Sequence, residues 1–237
     1  MEALFEGITI TDFHDDAYRN IVSLRTSADL FDDLSDSPAA WQSAMTLEAA
    51  SKPHNAHPPV IHRPFEEAAC NEAIDYPFTH WLTSRYSDGS FGVWYGTDTL
   101  ETSIHETVYH WRQGLLQDAG WEDYEGVAIE RKVYRVRCDA ALLNFRPRLD
   151  AFPALLDPDD YSFTHRVGAR LHHDGHPGLV SHSARCAGDV YAIFNARVLS
   201  KPRQYCYLTY RMSAGVVSIE RQPGDVLLDI SNNGHSS

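Results

Sequence analysis

The chain has 237 residues, of which 33 are acidic and 20 basic, so its formal net charge at neutral pH is −13. This balance argues against a duplex nucleic acid as a partner, because binding the phosphate backbone needs a basic face, but a few local arginines could still hold a small anionic ligand. The 43% share of hydrophobic residues is enough for a packed core, in one medium domain with an appendage or at most two small domains.

The N-terminus and the cysteines bear on the cellular compartment. The first residues, MEALFEGITITDF, carry acids in place of the basic start of a secretory signal, and no apolar run approaches the ~20 residues of a membrane span. The four cysteines are far apart in sequence, which favours reduced, mostly buried thiols. We therefore expect a cytoplasmic protein with no membrane segment.

Residues 1–59 are predicted to form a helical N-terminal appendage and a linker, ahead of a main domain at 60–237. In the stretch that begins at Asp15, apolar side chains recur at the three- and four-residue steps of an amphipathic helix, at Ile21, Leu24, Ala28 and Phe31. A second helix is predicted from Ser37, which precedes a proline. The sequence KPHNAHPP at 52–59 breaks regular structure and predicts the linker.

From Val60 onward, short strands and helices alternate, which predicts an α+β fold with a mixed or largely antiparallel sheet and flanking helices. One helix is predicted after Asp98 and another from the Asp157-Pro158 pair, each with an apolar stripe at helical spacing. Segments rich in β-branched and aromatic residues predict strands at 60–65, 91–96, 126–139, 178–183, 189–199, 204–212, 215–220 and 225–230.

Thirteen histidines raise the question of a metal site. The segment HETVYH resembles a zinc-protease helix, but His105 and His110 lie about 140° apart around a helix that turns ~100° per residue, so they cannot share one metal. The histidines between His172 and His182 lack a ligand spacing. We predict no metal site, and the sequence contains no glycine-rich nucleotide loop or serine-hydrolase elbow.

The segment at 84–106, SRYSDGSFGVWYGTDTLETSIHE, brings together several polar side chains. Arg85 precedes an aromatic strand that contains Tyr95, and Glu106 follows on a helix eleven residues after Tyr95. Glu106 lies roughly 160° from the centre of the apolar stripe of that helix, so it points away from the packed side. Each of these residues alone would be expected in ordinary packing or at the surface.

The set resembles the RES domain family, named for an arginine, a glutamate and a serine. The family carries a later stretch of the form D-G-(aliphatic)-x-x-P-S-x-R, for which this chain has DGHPGLVSHSAR, and this matches Ser183 and Arg185. Arg63 in VIHRPF matches an arginine near the start of the family's domain, and the resemblance covers about 60–212. Ser181 lies two residues before Ser183, on the same face of a strand, so the sequence leaves open which serine belongs to the site.

The resemblance implies an ADP-ribosyltransferase-like fold and an enzyme that acts on NAD, with Glu106, Arg85, Tyr95 and Ser183 as catalytic residues. Glu106 would stabilise the positive charge that develops on the ribose as its bond to nicotinamide breaks. Tyr95 would stack on the nicotinamide or its ribose, and Ser183 would hydrogen-bond the ribose or the nicotinamide amide.

The resemblance also implies how the rest of the dinucleotide would be bound. Arg85, helped by Arg63 and Tyr86, would bind the pyrophosphate through charge-assisted hydrogen bonds, and Tyr95 and Ser183 would complete the NAD-binding set. Two roles stay open for Arg185, which could place an acceptor phosphate or brace its own loop.

The implied biological function is a toxin that depletes NAD, by phosphorolysis or hydrolysis, until an Xre-like antitoxin protein blocks the active-site cleft. NAD would be a substrate, with inorganic phosphate as a possible co-substrate, and no tightly bound cofactor is implied. Two alternatives remain, namely a mono-ADP-ribosyltransferase that modifies a cellular protein and a non-catalytic binding module. The sequence does not choose the acceptor, and the N-terminal residues could contact the antitoxin, form a dimer or pack on the back of the domain.

Overall fold

The computed structural model describes residues 2–23, 71–113 and 127–231. The helices in these ranges are α1 (Glu2–Phe5), α2 (Tyr76–Thr79), α3 (Leu100–His110) and α4 (Ser162–His173), with a π-helical turn at Asn71–Asp75 just before α2. The strands are β1 (Thr9–Val22), β2 (Thr83–Ser84), β3 (Ser87–Asp88), β4 (Trp94–Thr97), β5 (Ala128–Asn144), β6 (Gly178–His182), β7 (Asp189–Ile193), β8 (Leu199–Ser213), β9 (Val216–Glu220) and β10 (Val226–Ser231). The predicted linker, the second helix of the predicted appendage, the strand at 60–65 and Arg63 lie outside the described residues.

Eight of these strands form one sheet in the order β1-β4-β7-β6-β5-β8-β9-β10, and β1 also pairs with β5. The additional pairing closes β1, β4, β7, β6 and β5 into a ring of five strands, from which β8, β9 and β10 continue as an open sheet. The β5–β6 pair is parallel, whereas the other pairs of this sheet are antiparallel. The predicted α+β fold with a mixed sheet and flanking helices is therefore confirmed.

The N-terminal segment departs from the prediction. The helix expected from Asp15 is wrong as far as Val22, because these residues belong to β1, which pairs with β5 from Thr9 opposite Asn144 to Val22 opposite Arg131. Pairing with a long antiparallel strand gives hydrogen bonds to alternate residues along β1. These bonds outweigh the helical spacing of apolar residues, which lies mostly beyond Val22. Residues 9–22 are thus part of the main sheet and not of an appendage, while the remainder of the predicted helix lies outside the described residues.

The two long helices pack as their apolar stripes predict. Ile104, Val108 and Trp111, on α3 and directly after it, lie in one cluster with side chains of β5, β8 and β9. Val167 and Leu171 of α4 join a second cluster with strand residues of β6 and β7. None of the helices in the described ranges is long and apolar enough to cross a membrane.

The helix predicted from the Asp157-Pro158 pair begins later, at Ser162. The Asp157 carboxylate accepts hydrogen bonds from the backbone N–H groups of Asp159 and Asp160, and this turn competes with helix formation. Three of the four cysteines lie within the described residues, and these are free thiols, namely Cys138, Cys186 and Cys206.

Candidate active site

A cavity of about 640 Å³ opens between β1, β4, α3 and the segments that precede β2 and α4. This volume lies within the ~300–1,000 Å³ that small-molecule sites usually enclose. Four of the site residues predicted from the sequence line it, namely Arg85, Tyr86, Tyr95 and Glu106. Ser181 also lines the cavity, and Ser183 contacts Glu106 from the turn that follows β6.

Glu106 reaches the cavity because of the way α3 begins and packs. Thr99 caps the helix, since its side chain accepts a hydrogen bond from the backbone N–H of Thr102. With the apolar stripe of α3 held against the sheet, Glu106 is half-buried on the opposite side and faces the cavity. The hydroxyl of Ser183 donates a hydrogen bond of 2.6 Å to a carboxylate oxygen of Glu106, so two residues 77 positions apart meet in the site.

The turn after β6 fixes the Ser183 hydroxyl. Its oxygen accepts hydrogen bonds from the backbone N–H groups of Arg185, at 3.0 Å, and Cys186, at 3.2 Å. Gly188 closes the turn with its carbonyl on the Ser183 N–H, and a side chain at this glycine would overlap the side chain of Thr102 at the start of α3. A hydroxyl with two accepted bonds has its proton directed at one acceptor, which here is Glu106.

Ser181 has different surroundings, although it lies two residues earlier. It is buried, and its hydroxyl lies close to that of Tyr86 without a hydrogen bond of normal geometry to any part of the chain that the structure describes. Burial raises the pKa of Tyr86 to about 12, while Arg85 and the Ser181 hydroxyl oppose this shift. Of the two serines, Ser183 is therefore the one that contacts the Glu106 carboxylate.

The segment that carries Arg85 and Tyr86 is held by β4 and α4. The Tyr95 hydroxyl accepts a hydrogen bond from the Tyr86 N–H and donates one to the Ser84 hydroxyl, both at 3.0 Å. Burial raises the pKa of Tyr95, so the phenol stays neutral. Gly168 of α4 lies so close that a Cβ there would overlap the Tyr86 carbonyl oxygen. This close packing holds the backbone beside Arg85 at the edge of the cavity.

The Arg85 guanidinium is oriented by neutral partners. One of its nitrogens donates to the carbonyl oxygens of Leu155, at 3.2 Å, and Asp157, at 2.8 Å, and its carbon lies 4.7 Å from the centre of the Tyr161 ring. It forms no ion pair with a carboxylate in the described residues. The positive charge therefore stays available for an anion in the cavity.

Comparison with known protein families decides the assignment, because the model of the RES domain matches residues 52–213, more than half of the chain. The chain belongs to the RES domain family. A search of curated proteins gives no match. Among solved structures, the M. tuberculosis MbcT–MbcA toxin–antitoxin complex contains a chain with 14% sequence identity and a TM-score of 0.45, over 86% of this chain and 90% of that one.

Arg185, the second residue matched in the later RES stretch, has its side chain engaged outside the Glu106–Ser183 contact. Its guanidinium donates to the carbonyl oxygen of Pro158 at 2.9 Å and stacks on the Tyr109 ring, 3.2 Å from the ring centre. These contacts join the turn after β6 to α3 and to the loop before α4. Of the two roles left open by the sequence, the geometry favours bracing.

Arg19 is a cavity residue that the sequence analysis missed, and it lies outside the stretch matched by the RES model. Its guanidinium donates to the carbonyl oxygen of Tyr95 at 2.9 Å and lies 5.6 Å from the Trp94 ring. Its Nε is buried and has no hydrogen-bond partner among residues 2–23, 71–113 and 127–231. Burial, followed by repulsion from Arg131, lowers the pKa of Arg19 to about 10, which leaves it cationic at neutral pH. The alternation of Ala17, Arg19 and Ile21 along a strand is the signal that could have indicated it.

The cavity thus contains two cations in a strongly acidic protein. Within the described ranges neither Arg19 nor Arg85 is paired with a carboxylate, and no group of three metal-ligating side chains is found. Burying an unpaired charge is costly, so an anionic ligand that paired with these arginines would bind favourably. The arrangement suits a ligand with a doubly charged anionic part and a centre that becomes positive near Glu106.

Proposed function

We propose that this RES-domain protein breaks the nicotinamide–ribose bond of NAD and transfers the ADP-ribosyl group to phosphate or water. The observation that carries the proposal is the Glu106 carboxylate, fixed by Ser183 at 2.6 Å on the wall of a cavity that also holds the cations Arg19 and Arg85. Family membership supports the same activity through the resemblance described above.

The chemistry needs a carboxylate at the reacting carbon. As the bond between C1′ of the ribose and the nicotinamide nitrogen lengthens, the bonding electrons leave with the nicotinamide, which departs neutral, and positive charge develops on the ribose. Glu106 would stabilise this charge, and phosphate or water would then form the new bond to C1′, a water losing one proton. A fixed carboxylate is effective here because it needs no reorientation during the step.

The two arginines would bind the pyrophosphate. Two formal negative charges on the ligand would match Arg19 and Arg85, whose carbonyl and aromatic contacts leave further N–H donors for phosphate oxygens. Arg63, which lies outside the described residues, stays a predicted third member of this set. Tyr86 is only 2% exposed, so its support would come through the position of its backbone rather than through its hydroxyl.

Ser183 and Tyr95 have hydroxyl groups that are already bonded within the protein, and this limits how they could contact NAD. Since the Ser183 hydroxyl donates to Glu106 and accepts two backbone N–H groups, we propose that it orients the carboxylate instead of binding the ribose or nicotinamide directly. Tyr95 has its hydroxyl engaged with Ser84 and the Tyr86 N–H, which leaves its ring face as the part able to contact the ribose or nicotinamide.

The biological proposal follows from the chemistry. An enzyme of this kind in the cytoplasm would deplete NAD and arrest growth, and an Xre-like antitoxin would neutralise it by blocking the cleft. NAD would serve as substrate, with phosphate as a possible second substrate, and no resident cofactor would be needed.

The test is an NAD turnover assay on matched variants. Nicotinamide release from NAD is measured for the purified wild type, for Glu106→Gln and for Glu101→Gln. Glu101→Gln is the matched control, because Glu101 is an exposed glutamate of the same helix that lies outside the cavity. We expect Glu106→Gln to lower kcat by roughly 10²–10³-fold with little change in affinity for NAD, because a transition-state charge stabiliser is lost, and Glu101→Gln to match the wild type. Equal turnover in all three proteins would contradict the role of Glu106, whereas no turnover by the wild type would contradict the proposed reaction and favour a non-catalytic binding module.

The acceptor is identified in the same incubations. ADP-ribose 1″-phosphate as the product, formed only with added phosphate, would assign phosphorolysis, and free ADP-ribose would assign hydrolysis. Radiolabelled NAD incubated with a cell lysate gives a labelled protein band only if the acceptor is a protein side chain, which would replace the first proposal by ADP-ribosylation.

A further inference from the structure

Two aromatic side chains at the edge of the cavity are stacked on each other. Tyr76, the first residue of α2, and His80, which directly follows this helix, have ring centres 4.2 Å apart and ring planes within 11°. Both residues line the cavity, and Tyr76 is 52% exposed. A tyrosine that is half in water offers a flat apolar face to whatever enters the cavity.

The other tyrosines that line the cavity have prior contacts. Tyr109 and Tyr161 each lie under a guanidinium, that of Arg185 and that of Arg85 respectively. Tyr18 lies under the Arg135 guanidinium and edge-on to the Tyr205 ring. Tyr86 is almost fully buried, and Tyr95 is partly buried with its hydroxyl bonded to Ser84 and the Tyr86 N–H. The stacked pair, Tyr76 and His80, is therefore the aromatic surface of this cavity that is most open to a ligand in the described part of the chain.

The stacked pair is also held in place. The His80 backbone N–H donates to the Tyr76 carbonyl oxygen at 2.9 Å, and the His80 ring nitrogen Nδ1 lies 2.9 Å from the Thr79 hydroxyl. Pro77 is buried, and a side chain at Gly92 would overlap its carbonyl oxygen, so the turn is packed tightly on the domain. A preorganised pair loses little side-chain entropy when a flat ligand stacks on it.

The cavity lining continues from the stacked pair towards Arg85, through Leu82, Thr83 and Ser84. In NAD the adenosine is joined directly to the pyrophosphate. If Arg85 binds the pyrophosphate and Glu106 faces the nicotinamide ribose, as proposed above, the adenosine needs another part of the same cavity, and the stacked pair offers an exposed aromatic surface there.

We propose that Tyr76 and His80 form a stacking site for the adenine base of NAD, which favours the dinucleotide over a nicotinamide mononucleotide as substrate. This inference rests on the proposed function, because it assigns one part of the same ligand. Bases stack on aromatic rings through their π-faces, and such contacts add affinity for a ligand that carries a base.

The test compares ligands with and without adenine. The double variant Tyr76→Ala/His80→Ala is compared with Trp81→Ala, an adjacent and equally exposed aromatic residue outside the cavity lining. Calorimetry measures the affinity for ADP-ribose in proteins that also carry Glu106→Gln. In proteins with Glu106 intact, kcat/KM is measured for NAD and for nicotinamide mononucleotide, which carries the same scissile bond without the adenosine.

We expect the double variant to lose about 5- to 150-fold in ADP-ribose affinity and in kcat/KM for NAD. We expect its kcat/KM for nicotinamide mononucleotide to be unchanged and Trp81→Ala to equal the parent. Equal losses for the mononucleotide, no loss for NAD, or no measurable ADP-ribose binding in the parent would overturn the inference. A protein that turns over neither nucleotide but binds ADP-ribose through the stacked pair would instead refute the proposed reaction and leave the adenine site standing.

Discussion

Removal of the Ser183 hydroxyl tests how the Glu106 carboxylate is held. In Ser183→Ala the 2.6 Å hydrogen bond to Glu106 is lost, together with the acceptor of the Arg185 and Cys186 backbone N–H groups. Ser181→Ala is the matched control, because Ser181 is equally buried, lines the same cavity and makes no hydrogen bond of normal geometry in the described residues.

The size of the effect follows from these contacts. A hydrogen bond to a charged group contributes about 1.5–3 kcal/mol. If that energy serves to hold Glu106 in its reactive position, its loss lowers kcat about 10- to 150-fold, with KM for NAD little changed. The loss of the acceptor for these two backbone N–H groups should also lower the free energy of unfolding by about 1–2 kcal/mol.

The assay measures kcat and KM from nicotinamide release and the free energy of unfolding from urea titrations. We expect Ser183→Ala to lose kcat while most of the protein stays folded, and Ser181→Ala to lose little. The positioning role would be refuted by an unchanged kcat in Ser183→Ala, by a larger loss in Ser181→Ala, or by a Ser183→Ala defect confined to KM.

Three further outcomes are expected. Arg19→Gln should lower kcat/KM for NAD about 10- to 150-fold, as one charge-assisted contact is worth about 1.5–3 kcal/mol, and unchanged kinetics would remove Arg19 from the site. Gly168→Ala should lower the free energy of unfolding in urea by about 1–3 kcal/mol, because its new methyl group would overlap the Tyr86 carbonyl oxygen. The pKa of His14 is raised by its hydrogen bond to Asp139 and by nearby acids, so the pKa measured by NMR titration should lie above 6.5 and should fall in Asp139→Asn. Any stability that the protonated ring contributes is fully present below the usual histidine pKa and is lost as the pH rises through the raised pKa.

The prediction for α3 was successful because it needed only local geometry. The apolar stripe of this helix fixes which side faces the sheet, and a regular helix then fixes the direction of Glu106 to within a few tens of degrees. The same holds for β5, β6, β8, β9 and β10, whose β-branched and aromatic residues are dense enough to outweigh other local preferences. Residues 157–160 show the limit, since an aspartate that bonds backbone N–H groups delays the start of α4 until Ser162.

The N-terminal segment shows what local patterns miss. The apolar residues of 15–22, namely Ala17, Tyr18, Ile21 and Val22, fit the spacing of a helix as well as the alternation of a strand. The pairing with β5, more than 100 residues away, therefore decides the outcome. Because the segment was predicted as a helix outside the domain, Arg19 could not be placed in the cavity. The choice between Ser181 and Ser183 was open for a similar reason, since β6 ends at His182 and the turn that directs Ser183 at Glu106 involves Gly188 and Thr102.

The sequence by itself determined the α+β class and the main helices and strands of the described domain, because these depend on side-chain periodicity. The order of motifs along the chain also indicated four residues that line the cavity, namely Arg85, Tyr86, Tyr95 and Glu106. The tertiary structure alone decided which serine holds Glu106, that carbonyl oxygens orient Arg85 without an ion pair in the described part of the chain, and that β1 brings Arg19 into the same cavity. Those outcomes depend on distances between residues remote in sequence, and such distances are set by strand pairing and close packing, which no local pattern encodes.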